Sequence, residues 1–376
     1  MSRTVFRRLA LALALSLVLA SPARADHTAD HVLPAYGAGA LRAEFLADFP
    51  VGVADLGRMG QSGMGLYRAR FRQDEVAQSG FTRLDNLAGQ ASLNGVALQP
   101  VLINMPLDVY TPPKTQAART SFASFAEAAA RRYGPNGTFW RGCGCPPRPV
   151  KVWEVWNEPN IAPFWDLPNP AEYAALLQAT RTRLRKVDRT ARILFGGLAY
   201  PSSLSSTRLE PNAFLRDVIA AAGWKSFDAL PLHMYRPNPA VAVDSLIANT
   251  VATLKTYGGV EATGAPRHQV WVNEFGRPTA LDDPATRDDE AATSDLLQRD
   301  WLVDVVGRLE AQRSAWNLGP LMWYSLRDSD APDASWLRQG LRRTTSEDTD
   351  AGPKLSWDAY AARSSAGGLL NLPVAR

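Results

Sequence analysis

The chain has 376 residues and a formal net charge of +4, and four arginines of its first 25 residues account for that charge. The remaining 351 residues are nearly neutral, so the net charge does not indicate a nucleic-acid-binding protein. They contain no repeat and no low-complexity linker, and their number suits one α/β barrel with long loops.

Residues 1–25 predict a secretory signal peptide. Three arginines precede an apolar run from Leu9 to Ala20, and Ala23-Arg24-Ala25 fits a small-residue cleavage site. The apolar run is too short to span a bilayer, and no later stretch approaches the ~18 apolar residues that a membrane helix needs. We therefore expect cleavage near residue 25 and a bacterial protein that is secreted or periplasmic.

The sequence predicts one domain after this leader. Residues 26–50 form a polar lead-in, residues 51–365 the domain itself and residues 366–376 a tail. Within the domain, short β-rich runs alternate with segments of helical period, which is the pattern of repeated βα units.

Eight strands and about as many helices are predicted in chain order. The strands are Val51–Leu56, Leu66–Phe71, Leu98–Met105, Val150–Asn160, Arg192–Ala199, Ala229–Tyr235, Gln269–Gly276 and Pro320–Ser325. The helices are Phe81–Ala91, Thr120–Tyr133, Pro170–Asp188, Asn212–Ala222, Asp244–Tyr257, Asp289–Gln312 as the longest, and Trp357–Arg363. This order indicates a (β/α)8 TIM barrel. An open doubly wound sheet would need a Gly-rich turn after its first strand, and the sequence has no G-x-G-x-x-G or P-loop pattern.

The two cysteines, Cys143 and Cys145, lie in the loop before the fourth predicted strand. A metal site would need further ligands, and neither a histidine nor a third cysteine is near. A bridge across two residues is geometrically tight. We expect either a local disulfide or two free thiols without a chemical role.

Two predicted strands end in a glutamate. V-K-V-W-E-V-W-N-E-P-N at residues 150–160 carries Glu158, and Q-V-W-V-N-E-F-G at residues 269–276 carries Glu274. Strand alternation predicts that Trp156 and Glu154 share the face of Glu158. The carboxyl ends of barrel strands meet at one face, so two such carboxylates suit the cleavage of a glycosidic bond. Alternatively, Glu158 is a helix-start acid and Glu274 a surface ion-pair partner.

The motifs W-N-E-P-N at residues 156–160 and V-N-E-F-G at residues 272–276 resemble the acid/base and nucleophile strands of clan A retaining glycoside hydrolases. The chain looks closest to family 39, with the cellulase-like family 5 next, from about Val51 to about Tyr360. The resemblance implies the same (β/α)8 fold, with Glu158 as acid/base and Glu274 as nucleophile. The residues themselves identify the pair without assigning the two roles.

Further site residues follow from the same resemblance. Asn157 resembles the asparagine that binds the sugar 2-hydroxyl, and His233 with Tyr235 resembles the pair that orients the nucleophile and lines the subsite. Trp323 resembles the aromatic platform beneath the sugar, and Trp165 could extend that platform. A buried structural histidine is the alternative for His233.

A cation is expected beside the nucleophile, because the nucleophile must be ionised while the acid stays protonated. Arg68 on the second predicted strand is the candidate, and Arg70 on the same face could replace it. The alternative is that both are solvated strand-end arginines, since Arg72 continues the run.

We thus predict a secreted retaining β-glycoside hydrolase that cleaves O-glycosidic bonds of a poly- or oligosaccharide by double displacement. It should act as a monomer, without a cofactor, a nucleic-acid partner or a membrane span. No metal is expected either, because the four histidines are scattered along the sequence. Since both glutamates follow an asparagine at the same strand depth, we expect their carboxyls ~5–5.5 Å apart, as retention requires. The alternatives are a catalytically weak carbohydrate-binding barrel and a transglycosylase that acts on the cell's own exopolysaccharide.

Overall fold

The computed structural model describes residues 53–162, 164–201, 203–235, 240–279, 293–328, 338–344 and 350–365. The predicted signal peptide, lead-in and tail lie outside these residues. Among the helices that are described, none is both long and apolar enough to cross a lipid bilayer.

Eight strand segments form one parallel sheet. They are β1 Leu66–Arg72, β2 Ala97–Ile103, β3 Val152–Val155, β4 Arg192–Leu194, β5 Leu198–Ala199, β6 Ala229–Met234, β7 Gln269–Phe275 and β8 Leu318–Trp323. Their order is β1-β2-β3-β4-β6-β7-β8, and β5 continues the line of β4 and also pairs with β6. The described residues thus occupy seven positions around the barrel.

Helices alternate with these strands and cover the outside of the sheet. They are α1 Val53–Gln61, α2 Gln73–Ser79, α3 Thr82–Leu93, α4 Gln116–Tyr133, α5 Pro170–Val187, α6 Pro211–Ala222, α7 Ala240–Gly258, α8 Asp295–Ala311, α9 Arg313–Trp316 and α10 Leu355–Ser365. Side chains at the N-caps of α4, α5, α6 and α8 accept hydrogen bonds from the first helical turn, and proline opens α5 and α6. An antiparallel pair, β9 Arg342–Thr344 and β10 Asp350–Pro353, precedes α10.

The sheet is buried on both faces, which is why its strands read as nearly continuous apolar runs. Residues such as Val152 and Leu194 fill the barrel interior, while their neighbours Trp153 and Ile193 pack in the larger core against the helices. The sheet is curled rather than open, because the side chain of Arg68 on β1 reaches Glu274 on β7. The predicted (β/α)8 barrel is therefore confirmed.

Three element predictions need correction. The predicted strand Val51–Leu56 is wrong, because residues from 53 onward form α1, in which the buried Leu56 and Met59 recur at helical spacing. The fourth strand ends at Val155, five residues before the predicted end. Helix α8 begins only at Asp295 and has 17 residues, fewer than the 19 of α7. The first residues of the predicted helix lie outside the described ones.

Cys143 and Cys145 form a disulfide in the loop before β3. Of the two alternatives left open by the sequence, the local bridge is therefore the one adopted. The loop lies at the amino ends of the strands, away from the ends that carry the two glutamates.

Candidate active site

The two strand-end glutamates come together at the carboxyl end of the barrel. One carboxylate oxygen of Glu158, one of Glu274 and a ring nitrogen of His233 all lie within 4.8 Å of one another. Both glutamates are nearly buried, with 7% of the Glu158 residue and 3% of the Glu274 residue exposed. A carboxyl pair at this separation is close enough for direct attack on a carbon held between the two groups.

Glu274 has a donor on each oxygen. Arg68 Nη1 donates to Oε1 at 2.5 Å, and the Tyr235 hydroxyl donates to Oε2 at 2.6 Å. Burial disfavours the arginine charge, but the carboxylates around it outweigh that effect and raise the pKa of Arg68. Burial and the charge of Glu274 raise the pKa of Tyr235 well above its usual range, so the phenol remains a donor. Arg70 instead directs Nη1 towards the sulfur of Met105 at 3.8 Å.

Glu158 is held by His233. Its Oε1 lies 2.6 Å from Nδ1 of the imidazole, and the same nitrogen is 3.4 Å from Oε2 of Glu274. Burial raises the pKa of Glu158, and Glu274 adds to this, whereas the hydrogen bond from His233 opposes it. Burial disfavours the imidazolium, but the charge of Glu274 and the bond to Glu158 raise the pKa of His233. His233 therefore lies closer to Glu158 than to Glu274, although the sequence analysis predicts that His233 orients the nucleophile, Glu274.

The backbone turns sharply where it delivers Glu158. Trp156 and Glu158 have φ of 73° and 42°, a region that residues with a side chain seldom adopt. Such conformations are enriched at functional sites, where surrounding contacts fix them. Here the Glu158 amide donates to the Gly197 carbonyl at 3.0 Å, and Asn160 Nδ2 donates to the Ala199 carbonyl at 2.8 Å.

This turn separates Trp156 from the site. Its ring packs at centroid distances of 5.9 Å from Phe122 and 5.8 Å from Trp165, in the layer between sheet and helices. The predicted face shared by Trp156 and Glu158 is therefore wrong. Alternation holds only within β3, whereas both residues lie beyond its end.

Asn157 lies beside Arg68, whose Nη2 donates to Asn157 Oδ1 at 2.7 Å. The side chain is buried, and this bond fixes its oxygen on the arginine. The amide NH2 is then the end of Asn157 that can donate to a bound hydroxyl.

Neither tryptophan proposed as a sugar platform faces the carboxylates. Trp323 is fully buried between Phe275 and Trp301, and its Nε1 donates to the Gln339 carbonyl at 2.7 Å. Trp165 is also fully buried, with its ring edge-on to Tyr173. Both predictions are wrong, because each indole fills the core between the sheet and its covering helices.

Sequence reasoning missed three residues of the site. Tyr324 follows Trp323, has its ring edge-on to Tyr235 at 5.6 Å and so belongs to the site. Tyr110, from the loop after β2, is close enough to the two glutamates for their charges to act on it, and burial raises its pKa. Glu154 accepts two hydrogen bonds from Arg68. Because neighbouring residues of a strand face opposite sides of the sheet, a Trp323 that faces the helices would have placed Tyr324 in the barrel interior. No local sequence pattern identifies the partner of Glu154.

The arrangement of Glu158, His233 and Glu274 has the spacing of a metal site, and it is the one such group among the described residues. It offers three donors, but the charge of Arg68 already stands 2.5 Å from Glu274. A guanidinium so close repels a metal ion, and Oε2 of Glu274, the oxygen 3.4 Å from Nδ1 of His233, already accepts a hydrogen bond from the Tyr235 hydroxyl. The geometry therefore suits an ion pair better than a metal centre.

No protein-family model matches the chain, and no curated protein matches it either. Solved structures do match the chain, and three of them are described here. A glucosidase from Croceicoccus marinus is 15% identical with a TM-score of 0.61, over 89% of this chain and 68% of that one. A GH39 enzyme from Xanthomonas axonopodis pv. citri is 15% identical with a TM-score of 0.57, over 88% and 66%. An endo-1,4-β-mannanase from Rhizomucor miehei is 13% identical with a TM-score of 0.57, over 89% and 96%.

These likenesses extend over nearly nine tenths of the chain and identify its fold as that of (β/α)8 glycosidases. The chain spans about two thirds of the length of the first two neighbours. The neighbour described as GH39 agrees, at the level of the fold, with the family to which the sequence motifs were matched.

Proposed function

We propose that this protein is a retaining β-glycoside hydrolase that cleaves O-glycosidic bonds of an oligo- or polysaccharide by double displacement. The observation that carries the proposal is the pair Glu158 and Glu274, with carboxylate oxygens within 4.8 Å of each other. Retaining enzymes keep their carboxyls ~5–5.5 Å apart, and inverting ones leave ~6.5–9.5 Å for a water molecule. The strand-end motifs and the fold of the glycosidase neighbours add support.

In the first step, an oxygen of Glu274 attacks the anomeric carbon. Glu158 donates its proton to the glycosidic oxygen, the bond between that oxygen and the anomeric carbon breaks, and the leaving group departs as an alcohol. The product is an ester between the sugar and Glu274. Arg68 and Tyr235 orient the Glu274 carboxylate for this attack by donating to both of its oxygens.

In the second step, water replaces the leaving group. Glu158 is now a carboxylate and takes a proton from the water, whose oxygen attacks the anomeric carbon while the ester bond breaks. Glu274 leaves as a carboxylate, and Glu158 is protonated again. Two inversions at one carbon give net retention. The raised pKa of Glu158 supports its part as the acid of the first step.

Asn157 and Tyr324 are the residues we assign to sugar binding. The Asn157 amide would donate to the 2-hydroxyl, a bond that strengthens in the transition state. Tyr324 would offer a ring to the apolar face of the sugar in place of Trp323. The neighbours described above include a glucosidase and an endo-1,4-β-mannanase, which favours a β-linked hexose as the substrate. The leader sequence supports export, and we propose action outside the cytoplasm as a monomer without a cofactor.

The test is an activity screen in the presence of a chelator on β-linked oligosaccharides and nitrophenyl β-glycosides. Proton NMR should show the retained anomer as the first sugar formed, and Glu274→Ala should remove the activity. Glu310→Ala, which removes a glutamate paired with Arg363 in the helix layer, is the control and should be active. An inverted first product would overturn the mechanism. Binding without turnover would favour a carbohydrate-binding barrel, and products longer than the substrate would favour a transglycosylase.

A further inference from the structure

Glu154 is a fully buried carboxylate on β3, four residues before Glu158. Arg68 donates to it twice, from Nε to Oε2 at 2.6 Å and from Nη2 to Oε1 at 2.7 Å. A two-bond contact between a guanidinium and a carboxylate fixes the plane of the guanidinium as well as its position. Glu154 therefore determines how Arg68 is presented to the rest of the site.

Three further donors surround Glu154. Gln99 Nε2 donates to Oε2 at 3.1 Å, Asn273 Nδ2 donates to Oε2 at 2.9 Å, and the Gly197 amide donates to Oε1 at 3.1 Å. The carboxylate thus links β1, β2 and β7 with the segment between β4 and β5. Asn273 is the residue directly before Glu274, so Glu154 also fixes the backbone that carries the nucleophile.

The N–H groups of Arg68 that Glu154 does not bind point at the site. Nη1 donates to Glu274 at 2.5 Å, and Nη2 also donates to Asn157 at 2.7 Å. Rotation of the guanidinium about the side-chain bonds of Arg68 would break the contacts with Glu274 and Asn157. The two hydrogen bonds to Glu154 prevent that rotation.

We propose that Glu154 is a positioning residue of the double displacement, which orients Arg68 and balances its charge so that Glu274 remains an effective nucleophile. The inference rests on the proposed function. The alternative is that Glu154 and Arg68 form a buried ion pair that serves only the stability of the barrel.

The two readings differ in what happens to Glu274 when Glu154 loses its charge. Without the negative charge of Glu154, the positive charge of Arg68 acts on Glu274 unopposed. This favours the ionised form of Glu274 and makes that carboxylate a weaker nucleophile. The other charged or titratable groups that act on Glu274 are unchanged by the substitution: Arg68, Tyr110, Glu158, His233, Tyr235 and Tyr324. The acidic limb of the kcat/KM profile, which follows ionisation of the nucleophile, should then move to lower pH.

The experiment compares Glu154→Gln and Glu154→Asp with the wild type on a nitrophenyl glycoside across pH. For Glu154→Gln we expect a displacement of the acidic limb by about one pH unit and a loss of kcat of about 10- to 100-fold. Glu154→Asp keeps the negative charge but places it one methylene further from Arg68. The acidic limb of its kcat/KM profile should therefore lie where the wild-type limb lies, while its kcat is about 10-fold below the wild-type value.

Asp228→Asn is the matched control. Asp228 also takes two bonds from one arginine, Arg185, and one from a backbone amide, but it lies directly before β6 at the other end of the barrel. Its loss should lower the melting temperature and leave the pH profile in place.

A folded Glu154→Gln variant with an unmoved limb would overturn the inference and leave the proposed function intact. Should Glu154→Gln not fold, Glu154→Asp decides the question, because wild-type kcat in that variant would exclude a positioning role. A wild-type protein without glycosidase activity would instead overturn the proposed function, and the inference with it.

Discussion

Nδ1 of His233 lies 2.6 Å from Oε1 of Glu158, so the candidate acid shares a hydrogen bond with a buried imidazole. The same nitrogen is 3.4 Å from Glu274, so one ring bridges the two carboxylates. A proton on Nδ1 favours the ionised form of Glu158, whereas burial and the charge of Glu274 favour the protonated form. Glu158 has to take both forms during double displacement, and His233 adjusts the balance between them.

Removal of His233 should therefore displace the basic limb of the kcat/KM profile to higher pH. The imidazole lowers the pKa of Glu158, so without it the acid remains protonated to a higher pH. His233→Ala should show this displacement together with a lower kcat, measured on a substrate with a poor leaving group. His268→Gln is the control, because that histidine is also buried but bonds the Trp224 carbonyl at the other end of the barrel. A basic limb that does not move in His233→Ala would contradict the contact as described.

A side chain at Gly197 should lower activity as well, because Gly197 lies against the ring of His233. A Cβ at this position would lie 2.0 Å from Nε2 of His233, which real contacts do not allow. Gly197→Ala should push the ring away from Glu158 and lower kcat by about 10-fold or more, since a small misplacement of a catalytic contact is costly. A Cβ at Gly142 would meet nothing within 4 Å, so Gly142→Ala should match the wild type. Equal activity in the two variants would rule out the crowding.

Tyr235→Phe should lower turnover without much change in stability. The hydroxyl donates to Glu274 at 2.6 Å, and a hydrogen bond to a charged group contributes about 1.5–3 kcal/mol, or about 10- to 100-fold in rate. Tyr360→Phe is the control, because its buried hydroxyl donates to the Leu321 carbonyl in the core. That variant should lose about 1 kcal/mol of stability and keep its kcat. Comparable loss of melting temperature in Tyr235→Phe would mean that Tyr235 serves the core.

The barrel itself was predictable because strands buried on both faces leave long apolar runs between helix-period segments. The errors arose where one residue or a few decide the outcome. Val51–Leu56 is a short apolar run, which periodicity cannot separate from a helix. At the end of β8, a shift of one residue exchanges Trp323 for Tyr324. Beyond β3, positive φ at Trp156 and Glu158 interrupts the alternation on which the face assignment rested.

Local sequence patterns could not predict the contacts between site residues that lie far apart in the sequence. Glu154 and Arg68 are 86 residues apart, and His233 and Glu158 are 75 apart. A glutamate at an inward strand position carries no sign of which arginine it will meet. The candidate pair Glu158 and Glu274 was accessible only because each sits in a distinctive motif at a strand end.

A buried ion pair joins the loops after β7 and β8 to the start of α10, and its loss should cost stability. Lys354 Nζ donates to Asp328 at 2.7 Å and to Thr279 at 2.7 Å, and burial lowers the pKa of Lys354 and raises that of Asp328. Lys354→Met leaves an unpaired buried carboxylate and should lower the free energy of unfolding by about 3–5 kcal/mol. The measurement is denaturant unfolding.

Two comparisons make that prediction specific. The double variant Lys354→Met with Asp328→Asn removes both charges and should recover a large part of the loss. Arg299→Ala breaks a surface pair with Asp300 and should cost less than about 1 kcal/mol. If the single variant at Lys354 is no less stable than Arg299→Ala, the pair contributes little.

The roles of the two glutamates can be separated by an external nucleophile. Glu274→Ala removes the attacking oxygen and should lower kcat by about 10⁴-fold or more. Azide can enter the vacated space and attack the same face of the anomeric carbon while Glu158 still protonates the leaving group. The rescued product should therefore be a glycosyl azide of inverted configuration.

Glu158→Ala should behave differently. A nitrophenyl leaving group needs little proton donation, so the ester on Glu274 still forms, but water then lacks its base. Azide needs no base and attacks the ester from the opposite face, so the product should be the retained glycosyl azide. Proton NMR of the two azides distinguishes the anomers by their coupling constants. If Glu158→Ala gave the inverted azide and Glu274→Ala the retained one, the two roles would be exchanged, and Arg68 with Tyr235 would flank the acid instead of the nucleophile.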